Sequence, residues 1–215
     1  LIDPPQNGLE NMATDEAILE SCNQRLSQPT LRLYEWSEPT LSIGCFQKAD
    51  NIIKYCSKAG IPYVRRITGG RAVLHSDEIT YSIICSEDEP LFKEGISGAY
   101  RIISRCLLAA LREVGINADM HNSRATEHVF GKISCFHSPS RYEIIIDNKK
   151  LIGSAQRRFK SAFLQHGSIL FGVDKELIAR LFGEGSLSTM AWIKLYSDIK
   201  KDDFKAILID KIRKG

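Results

Sequence analysis

Apolar and polar positions alternate along the chain in two periods, and the period changes from segment to segment. From Asn11 the stretch NMATDEAILESCNQRL repeats Met12, Ala13, Ala17, Ile18 and Leu19 at helical spacing, with Asp15 and Glu16 at its start where the helix dipole favours acids. LRLYEW (31–36) and LSIGCF (41–46) alternate with period two around Pro39, which predicts two strands that could close as a hairpin. Positions 50–60 return to a helical pattern ended by Gly60, and 61–66 is a short β-branched strand leading into a glycine turn. Ala72 to His75 leaves that turn, and ITYSIICS (79–86) alternates strongly. The clearest amphipathic helix runs from Ser97 to Val114, with Ile102, Ile103, Leu107, Leu108, Leu111 and Val114 on one side and Gly115 as its stop. HNSRATEHVFGK is polar and aperiodic, as expected of an exposed loop. YEIIIDNKKLIGSAQRR reads as a hairpin turning at Asp147 and Asn148, GSILFGV as a further strand, and Lys175 to Phe182 as a short helix. The mixture predicts an α+β fold: a single domain over residues 1–215 with a central mixed β-sheet flanked by helices.

Composition narrows this picture. With 215 residues, 43% hydrophobic and 26% charged, the chain has the balance of an ordinary globular domain. Its longest apolar run, near Leu107, soon meets Arg112 and Glu113, so no membrane span is expected. LIDPPQNGLENM has no basic region followed by an apolar run, and a cytoplasmic location is the expectation. The start at Leu1 and the basic, helix-like tail FKAILIDKIRKG suit a trimmed chain or a piece of a longer one. A net charge of +3 is too small to imply nucleic acid, but Arg65, Arg66 and Arg71, and then Lys149, Lys150, Arg157, Arg158 and Lys160, form local basic clusters suited to an acidic protein or a phosphate.

Candidate chemistry gathers at two places. Gly69 and Gly70 between two strands allow backbone N–H groups to approach a ligand, and the flanking arginines match carboxylate or phosphate geometry. A plain tight turn with solvated arginines fits the same spacing, because neither a dinucleotide fingerprint nor a Walker loop is present. Six cysteines at 22, 45, 56, 85, 106 and 135 form no CxxC pair, so reduced thiols are expected. Cys135, in GKISCFHSPSRYE, is the one that falls outside the helices and strands read above. It is either a structural thiol or, with a lysine lowering its pKa, a nucleophile for a thioester. His121, His128 and His137 near it match no metal-site spacing, and no metal is expected; His75 and His166 read as structural histidines beside strands.

Taken in order, RRITGGRAVLHSDEITYSI (65–83) resembles the glycine-turn signature of the lipoate-protein ligase, octanoyltransferase and biotin-protein ligase superfamily, and KLIGSAQRR (150–158) resembles its lysine-containing strand. NMATDEAIL and PTLSIGCFQ fit in sequence, so the resemblance spans nearly the whole chain. GGR at 69–71, SCF at 134–136 and GSAQRR are most similar to the lipoate-ligase-like octanoyl-carrier-protein:protein N-octanoyltransferases, because ligases usually carry a third glycine where Arg71 stands. The resemblance implies the lipoate/biotin-protein ligase catalytic fold and transfer of an octanoyl group from octanoyl acyl carrier protein to a lysine of a lipoyl domain, such as the glycine cleavage H protein, with no cofactor. It implies Cys135 as the acyl-accepting nucleophile and Lys150 as the lysine that positions the acyl carbonyl. It further implies substrate contacts from Arg65, Arg66, Thr68, Gly69, Gly70, Arg71, Ala72 and His75, and from Gly153, Ser154 and Ala155. An ATP-dependent lipoate or octanoate ligase, or the large part of a two-chain ligase, is the alternative. Where the family usually has Asp directly after the signature histidine, this chain has Ser76, with Asp77 next.

Overall fold

The computed structural model describes residues 1–122 and 142–215; Cys135, His128, His137 and most of the HNSRATEHVFGK stretch lie outside the described residues. In chain order the elements are α1 (Gly8–Asn23), β1 (Thr30–Tyr34), β2 (Thr40–Ile43), α2 (Asp50–Ala59), β3 (Tyr63–Arg65), β4 (Val73–His75) and β5 (Glu78–Ser86). They continue as α3 (Pro90–Lys93), α4 (Gly95–Glu113), β6 (Asp119–Met120), β7 (Ile144–Ile146), β8 (Lys149–Arg158), β9 (Ala162–Leu170), α5 (Lys175–Phe182) and α6 (Lys201–Lys214).

The α+β class holds, with one refinement of the sheet. Six strands in the order β1-β5-β9-β8-β7-β6 make the large sheet, and every described pairing in it is antiparallel. The mixed sheet is the small one, β3-β2-β4, where β2 runs parallel to β3 and antiparallel to β4. β1 and β2 therefore do not form the hairpin that Pro39 suggested. The chain changes sheets between them, so β1 pairs with β5 and β2 with its own neighbours.

Several boundaries follow directly from local chemistry. Gly60 closes α2 in the left-handed region at φ 66°, and Asp147 and Asn148 at φ 50° and 61° make the tight β7–β8 turn that matches strand twist. Asp174 caps α5 by accepting from the Leu177 amide at 2.9 Å. α1 begins earlier than its apolar pattern, because the Asn7 side chain accepts from the Glu10 amide and caps it. Its buried stripe keeps Met12 and Leu19 of the apolar set read from the sequence and adds Asn11, Asp15 and Cys22, while Ala13 and Ala17 are exposed. Asp15, read as a first-turn acid, therefore stands about two turns into the helix, and it is buried because its carboxylate meets the buried Arg32 guanidinium.

The main core lies on one face of the large sheet. Ile79, Tyr81, Ile83 and Cys85 of β5 and Phe163 and Ile169 of β9 pack against Ala99, Ile103, Leu107 and Leu111 of α4, with Phe204 and Leu208 of α6 extending the layer. A second cluster joins the small sheet to α2 and α5 through Leu41, Ile43, Ile52, Leu74, Ile178 and Leu181. α1 covers the other face of the large sheet, so that face and the small sheet enclose a cleft.

Candidate active site

The cleft between the two sheets opens to solvent and encloses a cavity of about 30 Å³. Met12 of α1, Tyr34 and Trp36 at the end of β1, and Val73 of β4 give it apolar surface. Ser42, Arg66, His75, Thr80, His166 and Ser168 are its polar members, and Gly153, Ser154 and Ala155 of β8 run beside Gly167 of β9. Gly167 permits that close wall: a Cβ there would stand 2.7 Å from the Gly153 carbonyl oxygen and 2.7 Å from the Tyr81 ring.

Arg66 is the hub of the polar groups. Its Nε donates to Thr68 Oγ1 at 3.2 Å, one terminal nitrogen donates to Ser42 Oγ at 2.9 Å, and the other donates to the carbonyls of Gly69 at 2.9 Å and Arg71 at 2.7 Å. A guanidinium only donates, so both hydroxyls accept from it and pass their own protons onward. Thr68 thus donates to His166 Nε2 at 2.7 Å, which puts the His166 proton on Nδ1, 3.0 Å from Asp15 Oδ2. Ser42 likewise donates to His75 Nε2 at 2.7 Å, and His75 Nδ1 faces Glu78 Oε1 at 2.9 Å. Two hydroxyl–imidazole–carboxylate strings leave the same arginine. Burial holds the His166 imidazole below its usual 6.5, against the opposing pull of Asp15.

Both strings end in further buried partners. Asp15 Oδ1 accepts from Arg32 at 2.8 Å, Asp15 Oδ2 accepts from the Tyr34 hydroxyl at 3.0 Å, and the fully buried Arg32 also donates to Asp3 at 2.6 Å. Burial and the Asp15 charge raise the Tyr34 hydroxyl well above 10, so it stays a donor. On the other side Thr80 donates to Glu78 at 2.6 Å and accepts from Trp36 Nε1 at 2.8 Å, while the Trp36 ring stacks on His75 with centroids 3.9 Å apart.

The glycine turn is braced from within. Gly70 sits at φ 95°, and a Cβ on Gly44 would stand 2.0 Å from the Gly70 carbonyl oxygen, so the loop after β2 lies directly on the turn. Arg65 points outward and donates to the carbonyls of Gly44 at 2.7 Å and Gln47 at 3.1 Å. Of the residues expected to contact substrate, Arg66, His75, Gly153, Ser154 and Ala155 line the cleft. Thr68 is buried behind it on His166, Ala72 is buried in the core of the small sheet, and Gly69, Gly70 and Arg71 form the turn that Arg66 grips.

Lys150 is the second residue of β8 and is buried, its Nζ 2.7 Å from Glu143 Oε1, which is buried as well. It lies three residues before Gly153, roughly 10 Å along an extended strand. Asp77, beside Ser76, is tied elsewhere: it pairs with Lys194 at 2.6 Å and Lys201 at 3.0 Å, and its carbonyl accepts from the Phe171 and Gly172 amides. It fastens the C-terminal segment to the β4–β5 turn.

Asp15, Arg32, Tyr34, Trp36, Ser42, Glu78 and Thr80 join this site without having been singled out from sequence. The usable signal was a polar residue at an inward position of an apolar strand, as with Arg32 in LRLYEW and Ser42 in LSIGCF.

A large antiparallel sheet and a small sheet clasping a cleft, with a glycine turn on one lip and a lysine-headed strand on the other, define the catalytic domain of a lipoate-ligase-like enzyme. Protein Ta0514 of T. acidophilum, solved with bound lipoic acid, superposes with a TM-score of 0.78 at 25% identity, covering all of this chain and 82% of that one. The chain belongs to the lipoyl protein ligase A/B catalytic domain family, which it matches over residues 7–213. Octanoyltransferase LipM of Brevibacillus brevis is 46% identical over 178 residues, 80% of this chain and 64% of that protein. Octanoyltransferase LipM of Geobacillus kaustophilus is 40% identical over 209 residues, 94% of this chain and 73% of that protein. The chain thus spans a little under two thirds of the first relative's length. Among the described residues, no helix is long and apolar enough to cross a membrane.

Proposed function

We propose that residues 1–215 act as the catalytic domain of an octanoyltransferase in protein lipoylation, working in the cytoplasm. The observation that carries this reading is how the site spends its arginines. Arg65 and Arg66 direct their donors to the protein's own carbonyls and hydroxyls around the glycine turn. That use suits the wall of an acyl pocket better than a cradle for a nucleotide phosphate. The relatives named octanoyltransferase support the same reading.

In the proposed reaction the Cys135 thiolate attacks the thioester carbonyl of octanoyl acyl carrier protein. A new S–C bond forms, the carrier's thiol leaves, and the octanoyl chain lies along the Gly153–Ala155 wall. The neutral amine of a lipoyl-domain lysine, such as that of the glycine cleavage H protein, then attacks the acyl-enzyme. The amide forms, the C–S bond breaks, and the Cys135 thiolate returns as the amine's proton passes to solvent. Lys150 holds the acyl carbonyl and stabilises the developing oxyanion. An amide is more stable than a thioester, so no ATP is needed.

The test is intact-protein mass spectrometry after exposure to octanoyl acyl carrier protein. Wild type gains one octanoyl group, Cys135→Ala gains none, and Lys150→Ala gains it more slowly. Pyrophosphate exchange that depends on octanoate or lipoate and persists in Cys135→Ala would select the ATP-dependent ligase instead.

A further inference from the structure

We propose that Phe46, with Arg157 beside it, is the docking anchor for the acidic lysine-bearing domain that receives the acyl group; the proposal rests on the transferase reading above. Phe46 is 81% exposed, at the tip of the loop after β2. Exposure alone would not single it out, since Leu9 and Leu26 are exposed at 70% and 75%. What distinguishes Phe46 is the bracing of its loop. The Gln47 amide donates to the Gly44 carbonyl at 3.0 Å, the Cys45 amide donates to the Thr68 carbonyl at 2.9 Å, and Arg65 donates to the carbonyls of Gly44 and Gln47. Gly44 rests on the Gly70 carbonyl oxygen with no room for a Cβ. The aromatic ring is therefore presented to solvent on a rigid turn, and a binding partner need not order that loop on arrival.

Its position relative to the cleft gives the anchor a task. Gly153 and Ala155 line the cleft, and Arg157 is the next residue of β8 on the same side of the pleat, roughly 7 Å beyond Ala155. The Arg157 guanidinium stands 6.0 Å from the centre of the Phe46 ring. The cleft wall thus runs straight into a phenylalanine–arginine pair, residue types enriched at protein interfaces. Lys48 and Arg65 are exposed on the same braced loop and its strut, with Asp50 the acid that follows. The balance at the rim is basic.

Reach decides between the two protein substrates. A carrier that presents its thioester on a long flexible arm can dock at a distance from the cleft. An acceptor that presents only a lysine side chain must bring its own surface to the rim. Phe46 and Arg157 are at that rim, so they fit the acceptor.

The experiment measures two steps separately on wild type, Phe46→Ala, Phe46→Trp and Arg157→Ala, with octanoyl acyl carrier protein as donor and a lipoyl domain as acceptor. For Phe46→Ala and Arg157→Ala the KM for the lipoyl domain should rise about tenfold while acyl loading of the enzyme stays within about twofold of wild type. Phe46→Trp should restore the KM, and the Arg157→Ala effect should shrink with added salt, whereas the Phe46→Ala effect should not. An unchanged lipoyl-domain KM overturns the proposal, and so does a rise confined to the carrier's KM, which would assign the anchor to the donor. Slowed loading of equal size would place both residues in the acyl site and overturn it too. Wild type that neither loads octanoate nor modifies the lipoyl domain would fail the transferase reading itself, and the docking role with it.

Discussion

The two faces of β5 and β9 are almost equally buried, yet they are built from different chemistry. Toward α4 the strands present Ile79, Ile83, Cys85, Phe163 and Ile169, an apolar surface whose packing is non-directional. Toward α1 and the small sheet they present Thr80, Ser82, His166 and Ser168, all 6% exposed or less. Through Thr68 and Asp15, His166 joins a string of directional bonds. The first face can lose a methyl group and relax around the gap. The second cannot lose a carboxylate without leaving its donors unpaired, and those donors fix the shape of the cleft. Stability is a property of both faces, whereas the orientation of the site belongs to one.

Removing Asp15 is the severest test of that division. Asp15→Ala leaves the buried Arg32 guanidinium with Asp3 as its remaining carboxylate and strips His166 and Tyr34 of their acceptor. Chemical denaturation should show a loss of about 3–5 kcal/mol, typical of breaking one half of a buried ion pair. A loss below ~1 kcal/mol would mean the polar face is not held by this acid. On the other face, Leu107→Ala deletes a side chain that is 1% exposed in the main core. It should cost about 3 kcal/mol, within the usual range for such cavities. Folded Leu107→Ala protein should load octanoate at the wild-type rate; a specific loss of loading would show that the apolar face also shapes the site.

Thr68→Val cuts between these extremes. It keeps the volume but removes the hydroxyl joining Arg66 to His166, so Nε2 loses its donor and Arg66 one acceptor. The expected cost is about 2 kcal/mol, that of leaving unsatisfied a buried imidazole nitrogen and one N–H of a guanidinium that keeps its other acceptors. Octanoyl loading should nevertheless fall more than in Leu107→Ala, the reverse of the stability order. Equal loading in the two variants would remove the directional role assigned to the polar strings.

The same contrast explains what the sequence could reveal. Helices α2 and α5 and the β7–β8 hairpin were legible because Gly60, the α5 periodicity and the Asp147–Asn148 turn act within a few residues. The separation of β1 from β2 was not, because partners 46 to 54 residues away decide β1 and partners 22 to 35 residues away decide β2. In the site, motif order located the glycine turn and the strand from Lys150 onward. Asp15 reads in the sequence only as a first-turn acid, and its burial becomes intelligible only when Arg32, on a different element, is brought opposite it. His166 read as a structural histidine by the same limit: its partners Thr68 and Asp15 lie 98 and 151 residues away.

The smallest expected effect lies outside both faces, where α6 is tied to the sheet edge. Glu35 accepts from Lys201 at 2.7 Å and from Lys205 at 2.6 Å, and Asp77 shares Lys201. Burial alone would raise the Glu35 carboxyl, but the two lysine hydrogen bonds and charges outweigh it and hold it below its ordinary 4.5; Asp77 is held below 3.8 in the same way. For a carboxylate depressed in the folded state, the stabilisation is complete above the unfolded-state value and is lost as pH falls through the folded one. The contribution should therefore be constant near neutrality and disappear below about pH 4. Glu35→Gln should lower stability at pH 7 by on the order of 1 kcal/mol, because the group is partly solvated, and by progressively less below pH 4. Urea midpoints for wild type and Glu35→Gln should thus converge in acid. Parallel curves down to pH 3 would mean that the apolar contacts of Phe204 and Leu208, rather than these ion pairs, hold α6, which would extend the rule of the α4 face to the sheet edge.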